Sequence, residues 1–188
     1  IRDFANAGGG VMLYHVTPEN TAAIQKLTDV TLDFFPLEKE GDDVKNRVLR
    51  RDNQGLLAGI SNHDLFWGSG DYIGKIKHHE GRWYSSLKGI PKEDFIADYF
   101  CAPVEADNAK ASVLTMPGAL LEIPAGKGFF VVNQFKMDAP DSNAKLNARR
   151  LGSLLFTNFG ARAKSSGQFA RTRKKRLDTY AFESIDLT

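Results

Sequence analysis

Apolar residues in this chain fall in short runs divided by glycines, prolines and charged stretches, and the spacing within each run predicts its element. Ile1 to Ala7 reads as the last turns of a helix that Gly8-Gly9-Gly10 stops, because glycine accepts the left-handed geometry of a helix C-terminus. Val11 to Tyr14 is apolar throughout, the pattern of a strand covered on both faces. Thr17-Pro18-Glu19 then supplies a cap, a first-turn proline and an acid near the positive helix end. Ala23, Ile24 and Leu27 give that helix its apolar stripe. Val30 to Phe35 reads as a strand ended by Pro36, and Glu38 to Asn46 as a charged loop. Arg47 to Arg51 fits strand or helix equally. Leu56 to Ile60 is apolar, and Ser61-Asn62-His63-Asp64 offers turn and capping groups before Leu65-Phe66-Trp67.

Beyond the flexible Gly68 to Gly70, the stretch from Asp71 to Ser86 mixes polar residues with Tyr72, Trp83 and Tyr84 and reads as an excursion from the core. Ala119 to Ile123, the turn Pro124 to Gly128 and Phe129 to Gln134 form a predicted β-hairpin, its second strand central because it is almost entirely apolar. A helix follows from about Ala144 to Phe159, with Leu151, Leu154, Leu155 and Phe159 on one face, closed by Gly160 and resting on a sheet. Tyr180 to Leu187 alternates as one further strand would. No repeat of 20 to 50 residues is visible.

Composition narrows the classes. The 188 residues are 42% hydrophobic, enough for one domain with a real core, and no apolar run is long enough to cross a membrane as a helix. The single cysteine, Cys101, forbids an internal disulfide and a cysteine-rich zinc site. The formal charge of +2 is local in origin: Arg171 to Arg176 holds five basic residues, and without it 20 bases face 23 acids. That run follows Ser165 to Gly167 and reads as a solvated linker rather than a nucleic-acid arm. The chain opens on Ile1, which suggests processing or excision from something longer.

Candidate chemistry is sparse. Cys101 lies between bulky Tyr99-Phe100 and Pro103, a setting for a buried, inert thiol rather than a nucleophile on a glycine-flanked elbow. His78-His79-Glu80 lacks the i, i+4 spacing of a helical zinc motif. His15 follows an apolar strand, where α/β folds place ligands. Asn62, His63 and Trp67, with Trp83, form a candidate carbohydrate site, since Asn can bond sugar hydroxyls and an indole face can stack on a pyranose. The alternative is that Asn62 or Asp64 caps a turn and Trp67 packs in the core. Gly8-Gly9-Gly10 precedes a strand, so the dinucleotide fingerprint is inverted, and Lys127 opens no helix as a P-loop lysine would. No catalytic residue, metal or cofactor is assigned.

Three segments carry a resemblance: Phe4 to Leu13 around Gly8-Gly9-Gly10; Leu120 to Gln134 around Gly126-Lys127-Gly128; and Asn147 to Gly160, with Arg149-Arg150-Leu151 and Asn158-Phe159-Gly160. In this order they resemble the class I glutamine amidotransferase-like, flavodoxin-like accessory domains of bacterial glycoside hydrolases, of which the β-galactosidase trimerisation domain is a relative. The resemblance covers about residues 1–160 and implies a three-layer α/β sandwich with a mostly parallel sheet and a late antiparallel hairpin. It implies that the family's first strand and helix would precede Ile1, and that glutaminase chemistry is lost, since no glycine-flanked cysteine elbow is present. The expected organisation is an α/β domain over 1–163, a basic linker over 164–178 and the start of a further strand or domain over 179–188. The expected role is non-catalytic, in a periplasmic or extracellular enzyme that hydrolyses a polysaccharide. Its partners would be other domains of the parent, a second copy or carbohydrate, with neither nucleic acid nor membrane. The rival readings are a carbohydrate-binding module and a small enzyme using Cys101.

Overall fold

The computed structural model describes residues 1–37, 47–67, 76–79, 82–85, 95–137 and 145–163. The expected loop over 38–46, the linker over 164–178 and the strand over 179–188 lie outside them. Ten strands are described: β1 (Gly10–Tyr14), β2 (Leu32–Pro36), β3 (Leu49–Arg50), β4 (Ile76–His79), β5 (Arg82–Ser85), β6 (Tyr99–Pro103), β7 (Ser112–Val113), β8 (Thr115–Met116), β9 (Leu120–Ala125) and β10 (Gly128–Asn133). The α-helices are α1 (Arg2–Asn6), α2 (Thr21–Thr28) and α3 (Lys145–Ala163). Short 3₁₀ turns cover Pro18–Asn20, Gly55–Leu57 and Glu105–Lys110.

The main sheet has four strands in the order β1-β10-β9-β7. β1 runs parallel to β10, from Gly10 opposite Phe129 to Tyr14 opposite Asn133. The expected hairpin forms, with Gly128 opposite Ala125 and Asn133 opposite Leu120, and both its strands lie inside the sheet, β10 between β1 and β9. Three antiparallel pairs stand apart: β2 with β6, β3 with β8, and β4 with β5.

This corrects the expected fold class. The architecture is mixed α/β with one parallel pairing among the described strands, and a three-layer flavodoxin-like sandwich with a mostly parallel sheet is not what forms. The physical reason lies in the connections. A parallel sheet grows when each strand returns through a helix to lie beside the last. Here α2 does follow β1, but the next strand, β2, pairs antiparallel with β6 outside the main sheet, Leu32 opposite Pro103 and Pro36 opposite Tyr99. Pro36 has no N–H to give to a further strand, which suits it to the end of an edge strand.

Alternation along β10 sets the core. Phe129 and Val131 enter one apolar cluster with Leu120, Leu151 and Leu155, while Phe130 and Val132 enter another with Ile24, Leu121 and Ile123. β10 is buried nearly end to end, as its sequence predicts, whereas β1 is only half-buried. Helix α3 passes through Gly160 to Ala163 instead of ending there. Its Leu151 and Leu155 are fully buried and its Leu154 and Phe159 partly so.

The glycines of the two motif segments exist for contact. Lys127 N–H donates to the Asn6 carbonyl at 3.0 Å and Phe129 N–H to the Gly9 carbonyl at 3.2 Å. A Cβ on Gly128 would overlap the carbonyl oxygens of Gly9 and Ala5, both backbone atoms that cannot rotate away. We expect Gly128→Ala to lower stability by about 1–3 kcal/mol, the range for overpacking a tight site, while Lys127→Ala at the exposed neighbouring position changes it little. Urea-denaturation midpoints of the two variants measure the contrast.

Candidate functional site

The carboxyl ends of the parallel pair β1 and β10 are where an α/β sheet offers its side chains to a ligand. His15 leaves β1 there with a φ of 51°, a left-handed conformation uncommon for a side-chain-bearing residue. Its N–H still donates to the Asn133 carbonyl at 2.8 Å, so it turns out of the strand while completing the ladder. The His15 Nε2 stands 2.9 Å from Asp98 Oδ2, and Lys136 Nζ stands 3.3 Å from Asp98 Oδ1. Lys136 and Asp98 are mostly buried, and the His15 side chain is 37% exposed. Around them Gln134 Nε2 donates to the Val16 carbonyl at 2.9 Å and Met137 N–H donates to the Tyr14 hydroxyl at 3.0 Å.

An imidazole on a carboxylate is half of an acid–base relay. In such a relay the carboxylate serves the imidazole, whereas here the Lys136 ammonium shares it. The cluster joins three chain segments, one after β1, one before β6 and one after β10, and its geometry is that of a latch. The sequence pointed to His15 through its place after an apolar strand; Asp98 and Lys136 were not singled out. The signal that could have found Lys136 is the same one, since it follows the buried strand β10 by three residues.

A second feature is an open groove of about 930 Å³ beside β6, β7 and β8, walled by Phe35, Phe100, Val113, Met116 and Pro117, with Arg51 and Asp52 also lining it. Cys101 contributes to this wall through its backbone strand, but its side chain is 1% exposed. Burial pushes the Cys101 thiol up to about 12, and the neighbouring Gln134 amide offsets part of that rise. A thiol of this kind holds almost no thiolate at neutral pH.

Of the four carbohydrate candidates, Asn62, His63 and Trp67 have described surroundings. Trp67 is fully buried, its indole N–H donating to the Asp64 carbonyl at 3.2 Å, so its ring face is covered by protein. Asn62 Oδ1 accepts from Arg50 N–H at 2.9 Å, and His63 is exposed. Trp83 lies on β5, opposite His78 in the β4–β5 hairpin. Asp64 Oδ2 accepts from Ser61 N–H at 2.8 Å and from its hydroxyl at 2.7 Å, the capped turn that stood as the alternative reading. The other oxygen of Asp64 faces Arg150 Nε of α3 at 2.7 Å.

No protein-family model, curated protein or solved structure matches the chain. Among the described residues, no three His, Cys, Asp or Glu side chains stand together as metal ligands, and no helix is long and apolar enough to cross a membrane.

Two outcomes follow from this geometry. The folded Cys101 thiol releases its proton far above its ordinary 9.0. Between that value and about 12 the folded state therefore holds a proton the unfolded chain has lost, and stability falls as pH rises through the window. Urea midpoints measured from pH 8 to 11 should show this decline in the parent and less of it in Cys101→Ala. If the His15–Asp98–Lys136 cluster is a latch, Asp98→Ala costs about 1.5–3 kcal/mol, the range for hydrogen bonds to charged groups. The same denaturation assay at pH 7 reads it.

Proposed function

We propose that the chain is a non-catalytic support domain of a bacterial glycoside hydrolase, acting in the periplasm or outside the cell, with the hydrolytic carboxylates elsewhere in the polypeptide. The observation that carries this reading is the convergence of the three segments behind the family resemblance. Gly9 and Gly10 meet Gly128 and Phe129, and Phe129 packs edge-to-face on Phe159 of α3 with ring centroids 5.7 Å apart. The remaining motif residues of α3 also hold structure. Arg150 pairs with Asp64, and Asn158 Nδ2 donates to the Leu56 and Ala58 carbonyls at 2.8 Å each. The motif thus serves packing, with glycines for approach, aromatics for the seam and amides for orphaned carbonyls. None of these groups has reactive chemistry, which favours support over turnover. The mixed sheet leaves the full sandwich of the family unsupported, so the reading rests on this junction.

The test is made on the whole natural polypeptide that contains this sequence, assayed against a panel of polysaccharides and aryl glycosides. We expect hydrolysis, with kcat within about twofold of the parent in His15→Ala and Asp98→Asn. Absence of glycosidase activity across the panel contradicts the reading. So does a hundredfold fall in kcat in either variant at an unchanged melting temperature, because it would make the cluster after β1 a reactive centre.

A further inference from the structure

β1 ends the main sheet, with β10 on one side and no described strand on the other. Its hydrogen bonds show which backbone groups are left over. The Gly9 carbonyl accepts from Phe129 N–H, and His15 N–H donates to the Asn133 carbonyl. In a parallel ladder alternate residues turn both backbone groups to the same neighbour, so Gly9, Val11, Leu13 and His15 serve β10. Gly10 and Met12 therefore turn theirs outward. Among the described residues, neither has a backbone partner on that side. From Gly10 to Leu13 the strand is only half-buried.

An open strand edge is a template for another strand, and proteins ordinarily blunt it with short strands, proline or charge. The opposite edge of this sheet, β7, is two residues long, and β2 carries Asp33 and Pro36. β1 has none of these devices: Gly10-Val11-Met12-Leu13-Tyr14 contains neither proline nor charge. Its apolar side chains serve both faces, Met12 toward one core cluster and Val11 and Leu13 toward the other. A Cβ on Gly9 would overlap the Phe4 ring, so that ring, 61% exposed, continues the apolar rim past the start of the strand.

We propose that β1 pairs antiparallel with β1 of a second copy of this chain, joining the two main sheets into one across a two-fold axis at Met12. In this register the strand is its own complement. Met12 exchanges both backbone hydrogen bonds with Met12 of the second copy, and Gly10 stands opposite Tyr14 of the second copy. Opposite residues share a face, so Val11 stands against Leu13 of the second copy on one side and the two Met12 side chains meet on the other. Every core-facing apolar residue of the strand meets an apolar one, and no like charges are set opposite each other within it. That self-complementarity favours a second copy over a charged segment. An isologous contact of this kind closes at two subunits. One short strand and Phe4 from each copy make a small interface, so the dimer is weak and concentration-dependent. The inference stands independently of the glycoside hydrolase reading.

The experiment follows the intact 188-residue chain by analytical ultracentrifugation from about 10 µM to about 1 mM, the range a small interface calls for. We expect monomer at the low end and dimer at the high end, with no weakening by added salt because the contact is uncharged. Hydrogen exchange over the same range should slow at least tenfold at the Met12 amide and change little at the Leu13 amide, which β10 already holds. Met12→Pro removes an N–H that faces away from the ladder, a position an edge strand tolerates. It should weaken association at least tenfold with an unchanged circular dichroism spectrum, whereas Met12→Leu, which keeps the N–H, should retain it. Should Met12→Pro fail to fold, exchange at Met12 in the parent chain decides alone. A monomer throughout, a trimer or larger assembly, a dimer whose Met12 exchange ignores concentration, or a folded Met12→Pro that associates like the parent would each overturn the proposal.

Discussion

The close approach of two backbones, one leaving α1 and the other entering β10, is the constraint on which the rest of the structure depends. β1 pairs with β10 along its whole length, and that pairing begins where the Gly9 carbonyl receives the Phe129 N–H. Without a side chain at Gly128 the two backbones come within hydrogen-bonding reach; a Cβ there would overlap the carbonyl oxygens of Gly9 and Ala5. The ladder in turn aims Phe129 and Val131 at one cluster and Phe130 and Val132 at the other. One strand thus organises both halves of the core, at about 1.5–3 kcal/mol for each large apolar side chain buried.

Polar groups in this molecule are largely turned inward to hold segments together. Asp64 receives Ser61 on one oxygen and Arg150 on the other, which ties the turn before Trp67 to α3. Thr115 Oγ1 accepts the amides of Ala119 and Leu120, at 2.9 and 3.1 Å, at the entry to β9. Asp107 Oδ2 accepts Thr31 N–H at 2.8 Å and so joins the start of β2 to the turn after β6. A buried polar group left unpaired costs more than a made bond returns, so these partners fix one arrangement among many of similar apolar content. His15, Asp98 and Lys136 extend the same logic to the carboxyl end of the sheet.

What was legible in the sequence was whatever local spacing dictates. The β9–β10 hairpin, the central place of β10, the apolar face of α3 and the buried character of Cys101 follow from alternation, helical period and neighbouring bulk. The sheet's hand and order were not legible. Strands of two residues such as β3, β7 and β8 carry no period, and the segment that forms β6 was read for its thiol rather than as a strand. Which partner β2 takes is a long-range choice, Leu32 opposite Pro103, that no local pattern encodes. The run through Gly160 has a similar origin: packing of α3 on the sheet outweighs the roughly 1 kcal/mol that glycine costs in a helix. Trp67 illustrates the limit for sites, because an indole beside Asn and His reads alike whether it faces sugar or core.

Native-state hydrogen exchange tests the central claim most directly, that α1, the β9–β10 hairpin and α3 are one cooperative unit closed at the glycine junction. The account predicts that the amides of Phe130, Val131 and Val132 exchange slowest and that those of Leu151 and Leu155 share their opening free energy. Exchange from α3 at a much lower opening free energy, with β10 still protected, would contradict it.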